Sequence, residues 1–151
     1  MNLGTIKLNI FLQGGLGNQL YIYCFFKRIM RLYPNIELTF NNKFFFINDK
    51  YFRNYRLDHL KLDLNLDNSK NIDNYFNRKS FLRIIRILFN FFIGPNISGI
   101  IEEKFFNSRK LFCYLDNDLF NKDAYIVIGY WQFKNFKGTY NKEINYIRDN
   151  F

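Results

Sequence analysis

The chain has 151 residues, 21 % of them aromatic, with 20 Phe and 11 Tyr. That length suits one domain with its own core, or about half of a two-domain enzyme, and ring packing will dominate such a core. The net charge of +9 favours anionic partners such as nucleotide-sugars or acidic lipid surfaces. The cations are scattered and no nucleic-acid-binding motif appears, so nucleic acid is excluded as the expected partner.

Two cysteines, Cys24 and Cys113, make no disulfide framework and point to a reducing, cytoplasmic setting. The chain enters a strand almost at once, and Lys7 and Asn9 interrupt its apolar start, so no secretory leader is expected. No stretch approaches the roughly 20 apolar residues needed to cross a bilayer.

Thr5–Leu12 is rich in β-branched and apolar residues and reads as a first strand. Gln13-Gly-Gly-Leu-Gly-Asn-Gln19 follows it, and Leu20–Tyr33 reads as a helix of about four turns. Glycines between a first strand and a first helix let the backbone turn tightly and approach a ligand closely. The helix start then offers free N–H groups and a positive dipole end, which suits phosphate. The loop is neither the dinucleotide fingerprint, since Leu20 stands where the third glycine belongs, nor a P-loop, since no Lys-Ser or Lys-Thr pair closes it. Asn18 suits a helix N-cap, which would explain it without a ligand. Asn18 and Gln19 also offer amide donors to a diphosphate or sugar.

Pro34 stops the helix, and Ile36–Phe40 reads as a second strand, giving a β-α-β start and hence a parallel sheet. Residues 41–55 read as loop with short helical turns. In Leu57–Leu66, leucines alternate with Lys61, Asp63 and Asn65, the period of a half-buried extended segment. Residues 71–93 read as helical. Lys79, Arg83, Arg86 and Asn90 form a narrow polar stripe on an otherwise apolar surface, ended by Gly94-Pro95. Such a helix packs on a sheet or partner domain, or lies on a membrane surface with its cations toward lipid phosphates.

Ile100–Phe106 and Tyr125–Tyr130 read as further strands, the second an apolar run like a central parallel strand. A last helix covers Asn141–Asn150. Ligands of open α/β sheets bind at the carboxyl ends of strands, so the glycine loop and Gly129-Tyr130-Trp131-Gln132 should converge on one rim. His59, the only histidine, lies away from both, which excludes a histidine dyad or histidine metal site. Glu102, Glu103, Asp116 and Asp118 are carboxylates able to act as bases, yet such residues are more often solvated, and the sequence designates none.

Three motifs in this order resemble the bacterial α-1,2-fucosyltransferases, glycosyltransferase family 11. They are Gly14-Gly-Leu-Gly-Asn-Gln19, the middle segment Arg56-Leu57-Asp58-x-Leu60, and Gly129-Tyr130-Trp131-Gln132 followed by an aromatic residue. The resemblance implies an α/β, Rossmann-like parallel sheet with flanking helices, one half of a GT-B-like glycosyltransferase. It implies an inverting, metal-independent transferase that uses GDP-fucose as donor, with no cofactor, and acts on glycans of surface polysaccharide or lipopolysaccharide.

By the same resemblance, Gly14, Gly15, Gly17, Asn18 and Gln19 face the donor, and Gly129, Tyr130, Trp131 and Gln132 contact substrate. Phe133, Lys134, Asn135 and Phe136 depart from the family pattern. The family's H-x-R-R-G-D segment, whose arginine neutralises the leaving diphosphate, does not occur. A guanidinium placed there supplies much of the electrostatic stabilisation of the departing nucleotide. The expectation is therefore a single acceptor-side domain over 1–151, inactive without a nucleotide-binding half. The other expectation is a non-enzymatic module that binds a membrane surface or partner through helix 79–92, peripheral on the inner face of the membrane.

Overall fold

The computed structural model describes residues 4–47, 53–69, 95–104, 107–131 and 141–149. The helix expected over 71–93, with its cationic stripe, lies outside the described residues, as does Gln132.

Four strands form one wholly parallel sheet: β1 (Ile6–Phe11), β2 (Ile36–Asn41), β3 (Ile100–Glu102) and β4 (Ala124–Ile128), in the order β2-β1-β4-β3. The register pairs Ile6 with Ile36, Leu8 with Tyr125 and Ile101 with Val127. The α/β, Rossmann-like parallel sheet with flanking helices is thus the architecture of the chain.

Helix α1 (Leu16–Leu32) links β1 to β2, and helix α4 (Ser108–Asp116) links β3 to β4. Short helices α2 (Phe44–Ile47) and α3 (Pro95–Ser98) lie in the connections, and α5 (Asn141–Asp149) follows the sheet. Both crossovers step the same way across the sheet. Crossovers are right-handed in about 98 % of cases, so both helices must fall on one face. The contacts agree. The rings of Phe25 on α1 and Phe112 on α4 are 6.0 Å apart, and the Tyr33 hydroxyl donates to Asp116 at 2.5 Å.

Strand alternation sorts the two faces. Ile6, Leu8 and Ile10, Leu38 and Phe40, Ile101, and Tyr125 and Val127 point into the main core beneath the helices. The alternate residues Phe11, Ile100, Ile126 and Ile128 form a smaller apolar cluster on the far face. Farther along, that face is polar. Lys7 pairs with Glu37 at 3.7 Å, and Asn9 donates to Thr39 at 2.7 Å. Both Asn9 and Asn41 donate to the carbonyl of Asp67 at 3.1 Å. A groove of about 550 Å³ runs over this face between Lys7, Thr39 and Ile126.

Several boundaries move. Helix α1 starts at Leu16 rather than Leu20, because extended Gly15 is its N-cap. Asn18 is therefore inside the first turn, and its expected role as N-cap is corrected. The extended Leu57–Leu66 segment is also corrected. It opens with a 3₁₀ turn, Leu57–His59, and only Leu66 pairs, in a parallel bridge to Phe40. Its alternation holds as far as Asn65, with Leu60 buried, Leu62 and Leu64 half-buried, and Lys61, Asp63 and Asn65 exposed, and breaks at Leu66, which is exposed. β4 begins one residue early and ends at Ile128, because Gly129 (φ 153) and Trp131 (φ 51) turn the chain out of the sheet. β3 keeps only Ile100–Glu102 of the longer strand expected. Helix α4 was not expected; the Asn107 side chain caps it by accepting from the Lys110 N–H at 3.1 Å.

Burial, together with the Asp116 carboxylate that holds its proton, pushes the Tyr33 phenol well above its ordinary value of 10.0. Above that value the unfolded chain releases this proton while the folded chain keeps it. Stability therefore declines as pH rises through and beyond about 10. Tyr55 and Tyr125, also raised mainly by burial, act in the same sense. The urea midpoint is expected to fall between about pH 8 and about pH 11, and Tyr33→Phe should lessen that fall. An unchanged slope in the variant would remove Tyr33 from the alkaline transition.

Candidate functional site

The carboxyl ends of β1 and β4 bring the glycine loop and the Gly129-Tyr130-Trp131 turn together. Gly14 adopts φ 80, and a Cβ built on it would lie 2.6 Å from Asn18 Nδ2 and 2.9 Å from the Tyr130 ring. Gly14 is thus fixed as glycine twice, by its backbone conformation and by the side chains pressed against it. Gly15 and Gly17 differ, since nothing lies within 4 Å of a Cβ at either. Their bareness leaves open space over the start of α1. No side chain caps that end and its first turn carries no acidic residue, so nothing in that turn offsets the positive end of the helix.

Gln19 holds this arrangement from behind. It is fully buried, and its Nε2 donates to the carbonyls of Gly14 and Asn54, both at 2.9 Å. Its Oε1 accepts from the Arg56 N–H at 3.0 Å. A primary amide has two donor hydrogens and an acceptor oxygen, and here each is used. Gln19 therefore positions the loop, with both of its amide hydrogens already committed to backbone carbonyls. The same three bonds bring the Arg56-Leu57-Asp58-His59-Leu60 segment to the glycine loop, so all three motifs meet. Leu57 and Leu60 anchor that segment in the core, while Asp58 and His59 stay exposed.

Trp131 is likewise interior, fully buried with its ring stacked on Phe25 at 5.7 Å and edge-on to Phe26 at 5.5 Å. Its indole N–H has no hydrogen-bond partner among the described residues. Its positive φ is a rare conformation for so bulky a residue, which marks a turn fixed by its surroundings. The turn lifts Tyr130, 38 % exposed, over Gly14.

Glu103, at the end of β3, shapes that turn. Its Oε2 accepts from the Tyr130 N–H at 2.8 Å, and its Cβ lies 2.4 Å from where a Cβ on Gly129 would be. Glu103 thus stands at the rim, whereas Glu102 belongs to β3 and Asp116 and Asp118 lie at the far end of α4. Its sequence neighbourhood gives no sign of this, because the contact spans 27 positions. Among the described residues no group of His, Cys, Asp and Glu could hold a metal ion, and no helix is long and apolar enough to cross a membrane.

No protein-family model, curated protein or solved structure matches the chain.

Two outcomes follow from the geometry. Gln19→Ala should cost about 3 kcal/mol or more, because three buried backbone groups lose their partner. Gln19→Glu should be destabilised most near neutral pH and recover on acidification, since an ionised carboxylate cannot donate to the Gly14 and Asn54 carbonyls. Urea unfolding at several pH values reads both, and a pH-independent loss for Gln19→Glu would refute the bonding described. Gly129→Ala should cost about 1–3 kcal/mol through its backbone conformation, with more if Glu103 is displaced. Thermal unfolding checks it, and a neutral substitution would show that the turn can relax.

Proposed function

We propose that the chain forms one wall of a nucleotide-sugar-dependent glycosyltransferase of the α-1,2-fucosyltransferase kind, the acceptor-side half of a GT-B-like arrangement. The observation that supports this reading best is the meeting of three distant motifs, at residues 14–19, 56–60 and 129–131, at one end of a parallel sheet. That end is where ligands of open α/β sheets bind. The uncapped start of α1 suits a diphosphate, and glycines 15 and 17 leave room for it.

In this reading GDP-fucose lies across the rim, with its diphosphate toward Gly15, Gly17 and Asn18. Tyr130 offers an aromatic surface to a sugar face, while Gln19 and Trp131 hold the walls from inside. Transfer by inversion breaks the bond from the anomeric carbon to the phosphate oxygen as an acceptor hydroxyl attacks from the other side. GDP then leaves with the electron pair, and the acceptor proton passes to a base. The arginine that meets the departing charge belongs to a second half, which also supplies most of the nucleotide pocket. No cofactor or metal is required by this scheme.

Supplying an H-x-R-R-G-D-bearing half, fused after Phe151 or added as a separate polypeptide, should produce GDP release from GDP-fucose that depends on a galactoside acceptor. The 151 residues alone should give only background release. In the completed enzyme Asn18→Ala should lower turnover about tenfold or more, a barrier increase of about 1.4 kcal/mol. Its melting temperature should change little, because Gly15 and not Asn18 is the cap. If no folded assembly of the two halves releases GDP, the glycosyltransferase reading fails.

A further inference from the structure

Glu103 follows β3 at the carboxyl end of the sheet and is half-buried. Its Oε2 accepts from the Tyr130 N–H at 2.8 Å, while Oε1 has no hydrogen-bond or ion-pair partner among the described residues. Glycine at 129 makes this placement possible, since a Cβ there would lie 2.4 Å from the Glu103 Cβ and 3.0 Å from its Oε2. The carboxylate is thus held by one oxygen, and the other remains an acceptor without a donor. Asp58, in the segment bound to Gln19, is held less well. It is exposed and accepts from the N–H of its own neighbour His59 at 3.1 Å, a contact that fixes no direction toward the rim.

The spacing also suits transfer with inversion. In the order β2-β1-β4-β3, the strand that ends before Glu103 is two steps from β1, whose end carries the glycine loop. At about 4.8 Å per step that is roughly 10 Å. Tyr130, at the end of the strand between, touches both sides, with its N–H on Glu103 and its ring over Gly14. Inversion places the base and the departing group on opposite sides of one sugar. Inverting glycosidases separate their two carboxyl groups by about 6.5–9.5 Å, which leaves room for the attacking water. In a transfer an acceptor hydroxyl takes the place of that water.

We propose that Glu103 is the catalytic base of the transfer, its Oε1 accepting the proton of the attacking acceptor hydroxyl. This rests on the glycosyltransferase reading and gives the acceptor proton its destination. As the hydroxyl oxygen bonds to the anomeric carbon, its O–H bond breaks and the proton passes to Oε1. The bond from that carbon to the phosphate oxygen breaks with its electron pair, which GDP carries away.

The 151-residue chain, isotopically labelled, is titrated with methyl β-D-galactoside and with its 2-deoxy analogue. The galactoside should shift the Glu103 carboxylate and Tyr130 ring signals together. The analogue, which lacks the attacking hydroxyl, should shift the ring alone. A Glu103 signal that ignores the galactoside, or that both sugars move equally, overturns the proposal.

In the assembly with the H-x-R-R-G-D-bearing half, Glu103→Gln should lower kcat about 10²–10⁴-fold, with the acceptor KM within about threefold. Glutamine keeps an oxygen for the Tyr130 N–H, so the melting temperature should hold. Azide carries no proton to remove, so the same variant should form α-L-fucosyl azide from GDP-fucose at least as fast as the unsubstituted assembly. Glu103→Ala gives the same comparison if the glutamine variant fails to fold. Turnover within about tenfold of the unsubstituted assembly, or equal loss with acceptor and with azide, overturns the base and leaves the glycosyltransferase reading standing. An unsubstituted assembly that releases no GDP with either nucleophile overturns both.

Discussion

The rim depends on one buried amide. Gln19 lies on the face of α1 that otherwise carries Ile22, Tyr23, Phe26 and Ile29 into the core. A polar side chain at that position is tolerable only if each of its hydrogen-bonding groups is met. The glycine loop, residue 54 and residue 56 meet them. The cost of leaving any one unmet makes the contact obligatory, so the loop cannot swing away from α1 without stranding the Gly14 carbonyl and one buried amide hydrogen. A hydroxyl or carboxylate could not replace it, because the site needs two donors toward carbonyls and an acceptor toward an N–H. The chemistry of one side chain thus fixes where three segments of sequence sit.

Around that bond the sheet supplies direction. Both crossover helices fall on one face, so the aromatic core is concentrated there. Phe25, Phe26, Phe112 and Trp131 interlock at centroid distances of 5.0 to 6.0 Å. With Ala nearly absent from the sequence, large rings fill the space where small residues would otherwise let helix and sheet approach. Trp131 carries this packing to the rim itself. The turn that exposes Tyr130 is therefore braced from below by ring contacts and from the side by Glu103.

The β-α-β start was legible because its signals are local: apolar strand residues, glycines, a helical run and Pro34 in order. The convergence of the two rim motifs followed from topology alone, since both sit at carboxyl ends of parallel strands. What the sequence withheld was long-range. Nothing near Gln19 indicates that two of its partners lie 35 and 37 positions away, and so its bracing role could not be read from the motif. Trp131 likewise reads as a substrate contact in its motif, and only tertiary packing turns it inward. Helix α4 had a local sign in Asn107, but its short span and the strands on either side obscured it. The leucine alternation at 57–66 was real as burial and misleading as strand, because exposure has a period whether or not a ladder forms.

Several departures from local rules meet at the rim, although Gly99 and Asp118 also hold positive φ at the other end of the sheet. Gly14 and Trp131 hold positive φ, no side chain caps the start of α1, and Gly17 occupies a helical turn with no packing reason to be glycine. A glycine there costs about 1 kcal/mol relative to alanine. Far from the rim α4 is capped, the core strands alternate cleanly, and the far-face asparagines bond one another. A cluster of such departures is what a sequence that serves a ligand as well as its own fold would carry. On the proposed reading, a phosphate at the start of α1 would meet both the bare glycines and a first turn that no side chain caps.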